Sequence, residues 1–138
     1  MTIKLQVITP EKIIYDDNVD KIIVPTPNGQ IAILPRHITL LSQVSDGEII
    51  VKKATTDHHI AVTGGFLEVR KNQATILADY AIESDAIQVA KAQEAKERAE
   101  KLLSEKLSEE DFAEIQSQLR RSLLELKVAE MKKRRKTI

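Results

Sequence analysis

Cysteine and tryptophan are missing from this chain, and aromatic residues make up only 3% of it. The lack of cysteine excludes disulfide bonds and thiolate metal sites. The scarcity of aromatic residues means that any core must be aliphatic, and an apolar content of 42% supplies enough residues to build one. A length of 138 residues suits one ordinary domain or two small ones.

Long apolar runs are absent as well. No run approaches the roughly 18 residues that suggest a membrane-spanning helix, and the chain opens on an alternating pattern instead of the apolar segment of a signal peptide. We therefore expect a soluble protein that is not secreted and does not insert into a membrane directly. The formal net charge of zero also argues against bulk attraction to nucleic acid or to a membrane surface.

Glycine and proline stop abruptly, because all four glycines and all four prolines lie before residue 84. The net charge changes along the chain as well, from −2 in residues 1–83 to −3 in residues 84–131 and +5 in residues 132–136. The break in composition predicts two domains, residues 1–83 and residues 84–138.

Residues 1–83 consist of short β-branched runs, each closed by Gly, Pro, Asn or Asp. In the first run, Ile3, Leu5 and Val7 alternate with Lys4 and Gln6. This pattern is typical of an all-β sandwich or barrel, and we count about ten strands. Together with the helices described below, it predicts the α+β class, with an N-terminal β-sandwich followed by an antiparallel two-helix hairpin.

The glycines mark turns or close contacts in the predicted sandwich. Asn28-Gly29 is a two-residue hairpin signal, and Gly29 and Gly47 are expected to adopt positive φ in turns. Gly64-Gly65 favours a bulge or a close approach of two backbones. A phosphate-binding role is disfavoured, because no Walker-type or dinucleotide fingerprint surrounds either glycine.

The segment after Gly29 is predicted to leave the core and return to it. Pro35 ends the strand, since it has no N–H to donate, and Arg36 and His37 are expected to be exposed. The apolar residues that follow are expected to rejoin the core: Ile38, Leu40 and Leu41.

Residues 84–138 have helical periodicity. Ser84-Asp85 offers an N-cap to a first helix with a small-residue face of alanines, which is expected to end at Lys106-Leu107. Ser108 opens a second helix with a sequence like a capping box. Its predicted apolar stripe comprises Phe112, Ile115, Leu119, Leu123 and Leu126. The short break predicts an antiparallel hairpin, which buries little apolar area and is therefore expected to be marginal alone and mobile.

No catalytic or metal-binding arrangement stands out among the polar residues. His37 is isolated, and His58-His59 would point to opposite faces of a strand, so we expect no metal site, no catalytic residue and no cofactor. The carboxylates of residues 85–114 lie among Lys and Arg and indicate an ion-paired, solvated face. An enzyme would need a pocket of convergent ionisable groups, which makes enzymatic function the least favoured class.

Basic residues near the C-terminus are candidates for binding a partner. They are Arg120, Arg121, Lys132, Lys133, Arg134, Arg135 and Lys136. Cations at a helix C-terminus complement the macrodipole, but five in a row exceed that need, so an acidic protein partner is the alternative interpretation. Nucleic acid is disfavoured, because no aromatic residues are interleaved for stacking.

Two motifs, in this order, carry a family resemblance. A glycine turn at Gly29 precedes residues 33–37, which read Ile-Leu-Pro-Arg-His, and residues 64–69 read Gly-Gly-Phe-Leu-Glu-Val. With these motifs the chain resembles the epsilon subunit of rotary F-type ATP synthases of the bacterial or chloroplast type. The resemblance covers nearly the whole chain, from the first strand to Lys132.

This resemblance implies a non-catalytic subunit of the central stalk that couples rotation to ATP synthesis. The sandwich would bind the gamma subunit and the ring of c subunits, with Asn28, Gly29 and Gln30 facing the ring and His37 as a further partner-binding residue. The hairpin would reach the alpha and beta subunits and inhibit ATP hydrolysis. The complex would hold the chain peripherally at the cytoplasmic face of a bacterial plasma membrane, or at the stromal face of a thylakoid.

Some members of that family bind ATP through an Ile-Asp-x-x-Arg-Ala motif in the hairpin. Here Gln88 and Lys91 replace the acid and the arginine, and Glu125 stands where another arginine would be. An amine does not replace a fork-shaped guanidinium in phosphate recognition, and a carboxylate repels a triphosphate, so no nucleotide binding is expected. Without the resemblance, the alternative is a structural or adaptor module with a helical docking arm.

Overall fold

The chain forms two compact units, Met1–Asp85 and a second that begins at Ala86. A computed structural model describes residues 1–137, with side chains for residues 1–135. The first unit is a β-sandwich and the second a pair of helices, so the predicted fold class is confirmed. The strands are β1 (Ile3–Ile8), β2 (Ile13–Val19), β3 (Lys21–Thr26), β4 (Gly29–Ile33), β5 (Leu40–Val44), β6 (Gly47–Lys53), β7 (Thr56–Arg70) and β8 (Gln73–Glu83).

The helical elements are a short 3₁₀ helix (Ser84–Ala86), α1 (Val89–Leu103) and α2 (Glu109–Thr137). Within residues 1–137, neither α-helix has the combination of length and apolar character that crossing a membrane requires. At 1.5 Å per residue, α1 is about 22 Å long and α2 about 43 Å.

The strands follow the hydrogen-bonding order β2–β1–β8–β7–β6–β3–β4, and β5 pairs with β7. β1 and β8 are parallel, whereas the other pairs are antiparallel. β7 pairs with β6 through residues 56–62 and with β5 through residues 65–69. β8 pairs with β7 along most of the length of β7. β7 and β8 therefore connect the strands that pair with the first part of β7 to those that pair with its second part.

The core is aliphatic, as the composition predicts. Along β1, Ile3, Leu5 and Val7 are fully buried while Lys4 is exposed, which is the period-two pattern of a strand with one face on the core. The other large, fully buried side chains continue this core through the remaining strands: Val19, Ile22, Val24, Ile33, Ile49, Val51, Ile60, Leu67 and Ile76.

The prediction of about ten strands is wrong, because eight are present in the described chain. At Gly64-Gly65, where the sequence predicts a bulge or a close approach of two backbones, β7 runs through both residues. Gly65 has φ +133°, and a Cβ there would lie 1.9 Å from the carbonyl oxygen of Leu77. The register with β8 is the same on both sides of the pair, so the glycines permit a close approach of two backbones without a bulge.

Two predicted turn geometries are also corrected. Thr26 pairs with Gly29, so the hairpin loop is Pro27-Asn28 instead of Asn28-Gly29. Pro27 holds the first central position, where its fixed negative φ excludes the primed turn that an Asn-Gly pair predicts. Gly29 does have positive φ, but Gly47 does not; a Cβ at Gly47 would instead lie 3.3 Å from the Pro25 side chain.

The first α-helix begins later and ends earlier than predicted. Ser84 does not cap it, because its hydroxyl donates to the buried carboxylate of Glu48. Gln88 occupies the N-cap of α1 and makes no side-chain capping hydrogen bond within the described chain. The alanine face is present, since Ala92 and Ala99 are buried.

The cap of α2 agrees with the prediction, but its apolar face does not. The Ser108 hydroxyl accepts a hydrogen bond from the amide N–H of Asp111 at 3.2 Å. Phe112 and Leu123 of the predicted stripe are exposed, and the other three members are only half-buried. The buried apolar residues are Leu124 and Val128. Apolar residues crowd this part of α2, so a shift of one residue, about 100° of rotation, changes which face is buried.

Candidate partner-binding surfaces

The outer face of the sandwich carries a row of four apolar residues on four adjacent strands. Strand pairing joins Ile13 to Ile8, Ile8 to Leu77 and Leu77 to Phe66. Ile13, Leu77 and Phe66 are 56%, 54% and 53% exposed, and Ile8 is half-buried. Single exposed apolar residues are ordinary, whereas adjacent ones form a patch of the kind found at interaction sites.

The alternation of strands explains why this apolar row faces outward. The neighbours in sequence of three row members, Val7, Ile76 and Leu67, are fully buried on the opposite face. The next outer row along the strands is mostly polar. It consists of Asp16, Gln6, Thr75, Glu68 and Leu41. The apolar row is therefore bounded on one side by polar groups, as the core of a protein interface is bounded by its rim.

Two further apolar residues are exposed, one in the loop between β4 and β5 and one at the start of β5. Ile38 is 79% and Leu41 is 72% exposed, so the prediction that they rejoin the core is wrong for both, whereas Leu40 packs against the core. The strand register explains this outcome, because Leu41 pairs with Glu68 on the outer face while Leu40 pairs with buried Val69.

The conformation of this loop is held by a residue from the β7–β8 turn. Arg36 has a φ of +65°, and its N–H donates to the Asn72 side-chain oxygen at 2.8 Å. The Asn72 side-chain nitrogen in turn donates to the carbonyl of Thr2 at 2.9 Å. Arg36 is exposed as predicted, but His37 is half-buried, with its Nδ1 2.7 Å from the carbonyl oxygen of Ile38.

An open cavity of about 530 Å³ lies beside the loop. It is lined by Thr39, Leu40, Leu41, Glu68, Arg70 and Lys71. Its lining combines apolar side chains with both signs of charge. This combination suits contact with a protein surface better than a small-molecule reaction, because no set of convergent catalytic groups lines it.

The predicted ring-facing residues form an exposed turn. Asn28, Gly29 and Gln30 are all exposed. The turn is ordered by Thr26, whose hydroxyl donates to the carbonyl of Gly29 at 2.5 Å and accepts from the N–H of Asn28 at 3.3 Å. A Cβ on Gly29 would meet nothing within 4 Å in the described chain, so this turn is free to present its backbone to a partner.

The predicted cationic residues lie on α2. Arg120 and Arg121 are exposed in its middle, Lys133, Arg134 and Arg135 are exposed near its end, and Lys132 is half-buried. The Arg134 side chain lies 3.7 Å from Glu130 one turn earlier. The position of the terminal cations, Lys132 to Arg135, in the last two turns of α2 agrees with complementing the helix dipole. The side chain of Lys136 lies outside the described residues.

The residues of the degenerate nucleotide motif also belong to the helices. Gln88 is the N-cap of α1, Lys91 is exposed in its first turn and Glu125 is half-buried on α2. Within residues 1–137, no cluster of three His, Asp or Glu side chains has the geometry of a metal site.

An ionic pair stabilises the corner between β2 and the β6–β7 turn. Lys53 and Asp17 form a salt bridge, and hydrogen bonding between them lowers the pKa of the Asp17 carboxyl and raises that of the Lys53 amine. Burial raises the pKa of the nearby Tyr15 phenol, whose ring centroid lies 5.8 Å from that of His58. In the described part of the chain this corner contains a salt bridge but no catalytic group in a cleft, so we interpret the pair as structural.

Family models match both units. The model for the beta-sandwich domain of the ATP synthase Delta/Epsilon chain matches residues 2–84, and the model for its long alpha-helix domain matches residues 85–130. This chain belongs to the ATP synthase delta/epsilon-chain family. Membership makes it a subunit of ATP synthase and not an enzyme by itself, as the resemblance in sequence implied.

Curated relatives narrow the assignment within the family. The chain is 40% identical over 135 residues to a protein of Dehalococcoides mccartyi named ATP synthase epsilon chain, covering 97% of this chain and 95% of that one. It is 42% identical over 133 residues to the protein of the same name from Chloroflexus aggregans, covering 96% of each. The epsilon resemblance is therefore confirmed.

A solved structure agrees in fold. The chain superimposes on a chain of the Euglena gracilis mitochondrial ATP synthase, in a structure of its OSCP, F1 and c-ring, with a TM-score of 0.68. Sequence identity is 22%, and the match covers 94% of this chain and 81% of that one. At this identity the comparison shows the shared fold alone.

Sequence reasoning missed the apolar row entirely. Phe66 lies in a family motif, while Ile8, Ile13 and Leu77 lie among the short apolar runs that predict strands. A signal does exist in the sequence: Ile76-Leu77 and Phe66-Leu67 are consecutive apolar pairs, so one member of each must face away from a one-sided core. The pairing that places the outward members together is a property of the sheet.

Proposed function

We propose that this chain is the central-stalk epsilon subunit of a proton-translocating F-type ATP synthase, couples rotation to ATP synthesis, and restrains ATP hydrolysis through its helical hairpin. As part of such a complex it would lie peripherally at the cytoplasmic face of a bacterial plasma membrane. The family assignment supports the identification as an ATP synthase subunit. The exposed apolar row supports its attachment to the stalk, and the exposed cations of α2 support the restraint on hydrolysis.

The exposed apolar row is the observation that carries the stalk assignment. A subunit that turns with the stalk needs a firm attachment to it, and exposed aliphatic and aromatic side chains with a polar rim are suited to a permanent interface. We assign the row formed by Ile13, Ile8, Leu77 and Phe66 as the surface that the gamma subunit covers. The turn at Asn28, Gly29 and Gln30 would then contact the ring of c subunits through exposed backbone.

The restraint on hydrolysis rests on the hairpin. α2 is about 43 Å long and carries exposed cations in its middle and near its end. A helix of this length reaches along a stalk, and its arginines and lysines would pair with acidic groups of the alpha and beta subunits. Such pairs are weak on an open surface but count for more when partly buried between subunits.

Replacing Leu77 with lysine tests the stalk assignment. Binding of the purified chain to the gamma subunit is expected to weaken at least about tenfold for Leu77→Lys and for Phe66→Lys, because each buries an unpaired ammonium in an apolar interface. Asn18→Lys is the matched control, since Asn18 is exposed on β2 at the far end of the sandwich's outer face. Undiminished binding by both row variants, with circular dichroism unchanged, would refute the assignment.

Three reconstituted complexes test the restraint on hydrolysis. One contains the full-length chain, one the chain truncated after residue 83, and one a charge-neutralised chain. The neutralised chain carries glutamine at Arg120, Arg121 and the five cations of residues 132–136. Truncation is expected to raise ATP hydrolysis without loss of assembly, and neutralisation to relieve much of the inhibition with a weaker dependence on salt. Equal rates for the truncated and full-length complexes over a range of ATP and salt concentrations would make the hairpin a structural prop.

A further inference from the structure

Glu48 on β6 is a carboxylate in the interior of the protein. Its side chain is only 2% exposed, and its cross-strand neighbour Ala61 is fully buried. Removing a carboxylate from water is costly unless other groups compensate its charge and satisfy its oxygens. The groups that compensate the charge of Glu48 therefore show which parts of the chain Glu48 holds in place.

Two of these groups come from different parts of the sandwich unit. The hydroxyl of Ser84 donates to one carboxylate oxygen of Glu48 at 2.7 Å, and Ser84 is itself 4% exposed. Nδ1 of His59, on β7, lies 3.2 Å from the other oxygen. The angles at His59 are not those of a hydrogen bond, so this approach is an electrostatic contact. Hydrogen bonds to ionised acceptors are roughly twice as strong as neutral ones.

The position of Ser84 gives this hydrogen bond its meaning. The β7–β8 ladder ends at the pairing of Ile60 with Glu83, so Ser84 is the first residue after the sheet. It also begins the 3₁₀ helix (Ser84–Ala86), and α1 does not start until Val89. Because Gln88 makes no side-chain capping bond to α1 in the described chain, the start of that helix is weakly held. The chain thus passes from a strong ladder to a marginal helix across residues 84–88.

We propose that Glu48, Ser84 and His59 form a clasp that sets where the hinge between the sandwich and the hairpin begins. With the clasp closed, Ser84 anchors the 3₁₀ helix to the sandwich, and residues 84–88 are restrained. With the clasp open, residues 84–88 become the hinge, and the helical hairpin has a longer tether. Glu48 and Ser84 are thus positioning residues for the hairpin, and the idea rests on the proposed mobility of that hairpin.

Amide hydrogen exchange in the isolated full-length chain tests the clasp. Ser84→Ala is expected to accelerate exchange at residues 84–88 about tenfold or more, given the usual strength of a hydrogen bond to a charged group. Exchange in β1 and in the centre of β7 should be unchanged. Ser42→Ala is the matched control, because the Ser42 hydroxyl donates only locally, to the carbonyl of Gln43 at 3.0 Å, and this variant should leave residues 84–88 protected.

Two further variants separate a clasp from general stability. Ser84→Thr keeps the hydroxyl and should restore protection, whereas Glu48→Gln keeps an acceptor without the charge and should give intermediate exchange. Unchanged exchange at residues 84–88 in Ser84→Ala overturns the proposal. So does acceleration that is equal throughout the sheet, since it would make the cluster a structural element only.

The result is separable from the restraint on hydrolysis. Exchange is measured without the complex, so a clasp that opens in Ser84→Ala stands even when truncation leaves hydrolysis unchanged. Conversely, a truncation effect with no change in exchange refutes the clasp and leaves the proposed function intact.

Discussion

At the scale of single residues, Gly65 has almost no freedom to accept a side chain. Its φ of +133° lies where side chains are strained, and a Cβ would overlap the Leu77 carbonyl oxygen at 1.9 Å. That carbonyl belongs to the backbone of a paired strand and has no room to move. The pairing of β7 with β8 at this point therefore requires a residue that has no Cβ.

Gly65→Ala is expected to lower the free energy of unfolding by about 3 kcal/mol or more, because strain and overlap act together. Gly29→Ala is the matched control: its φ is also positive, at +113°, but a Cβ would meet nothing within 4 Å in the described chain. That variant should lose only about 1–2 kcal/mol. Denaturant unfolding of both variants measures the difference, and equal losses would show that overlap contributes nothing.

The Asp17–Lys53 pair predicts a dependence of stability on pH. The hydrogen bond from Lys53 lowers the pKa of Asp17, so its contribution is present above the usual Asp value, about 3.9, and is lost as pH falls through the folded-state pKa. The raised pKa of Lys53 makes its contribution present below about 10.4 and lost as pH rises through the folded-state pKa.

Lys53→Met should therefore lower the melting temperature slightly at neutral pH, and the difference from the unchanged protein should shrink below about pH 4. Lys12→Met, at an exposed lysine in the β1–β2 turn, is the control. Thermal unfolding from pH 3 to pH 7 at low salt checks this. A difference that stays constant over that range would mean that the ion pair contributes nothing.

At the scale of elements, the two helices differ in how firmly they begin. Ser108 caps α2 through its hydroxyl, and three acidic residues occupy the first turn of that helix, which suits its dipole. α1 has neither advantage, since its N-cap is Gln88 and its first turn contains no acidic residue. Its buried side chains are the alanines Ala92 and Ala99, so it contributes little apolar area.

The start of α1 also contains Gln88 and Lys91, two positions of the nucleotide motif that the family resemblance implies. We expect the isolated chain to bind ATP weakly or not at all, because Lys91 offers a point charge and Glu125 adds a repulsive one. Titration calorimetry checks this, and a dissociation constant in the low micromolar range would contradict it. The triple variant Gln88→Asp, Lys91→Arg and Glu125→Arg restores the motif and should bind at least about tenfold more tightly than the unchanged chain.

At the scale of the whole molecule, the division into two units determines which fragments of the protein can fold independently. The aliphatic core belongs to the first unit. The second unit buries few large side chains, with Leu124 and Val128 as the most buried. The first unit should therefore fold without the second, whereas the reverse is not expected.

A fragment of residues 1–83 is expected to melt cooperatively and to bind the gamma subunit. A fragment of residues 1–85 should melt at a higher temperature, because it retains the Ser84 hydroxyl that Glu48 accepts from. The comparison of two fragments that differ by two residues is the control for truncation itself. A soluble 1–83 fragment that fails to bind gamma would place the interface elsewhere.

The alternation of Ile3, Leu5 and Val7, the confinement of Gly and Pro to the first 83 residues and the cap at Ser108 were enough to predict a sandwich followed by two helices. These signals are local, because the spacing of apolar residues that distinguishes a strand from a helix is visible within a few residues. For the same reason the predictions failed where two periods fit, as in the apolar stripe of α2, and where a proline occupied a turn, as at Pro27.

The tertiary structure decided the features on which the proposed function and the proposed clasp rest. Ile8, Ile13, Leu77 and Phe66 form one row only because β2, β1, β8 and β7 pair in that order and register. Ser84 became the partner of a buried carboxylate 36 residues away instead of a helix cap. Contacts between residues far apart in sequence depend on which strands become neighbours, and no local pattern encodes that choice.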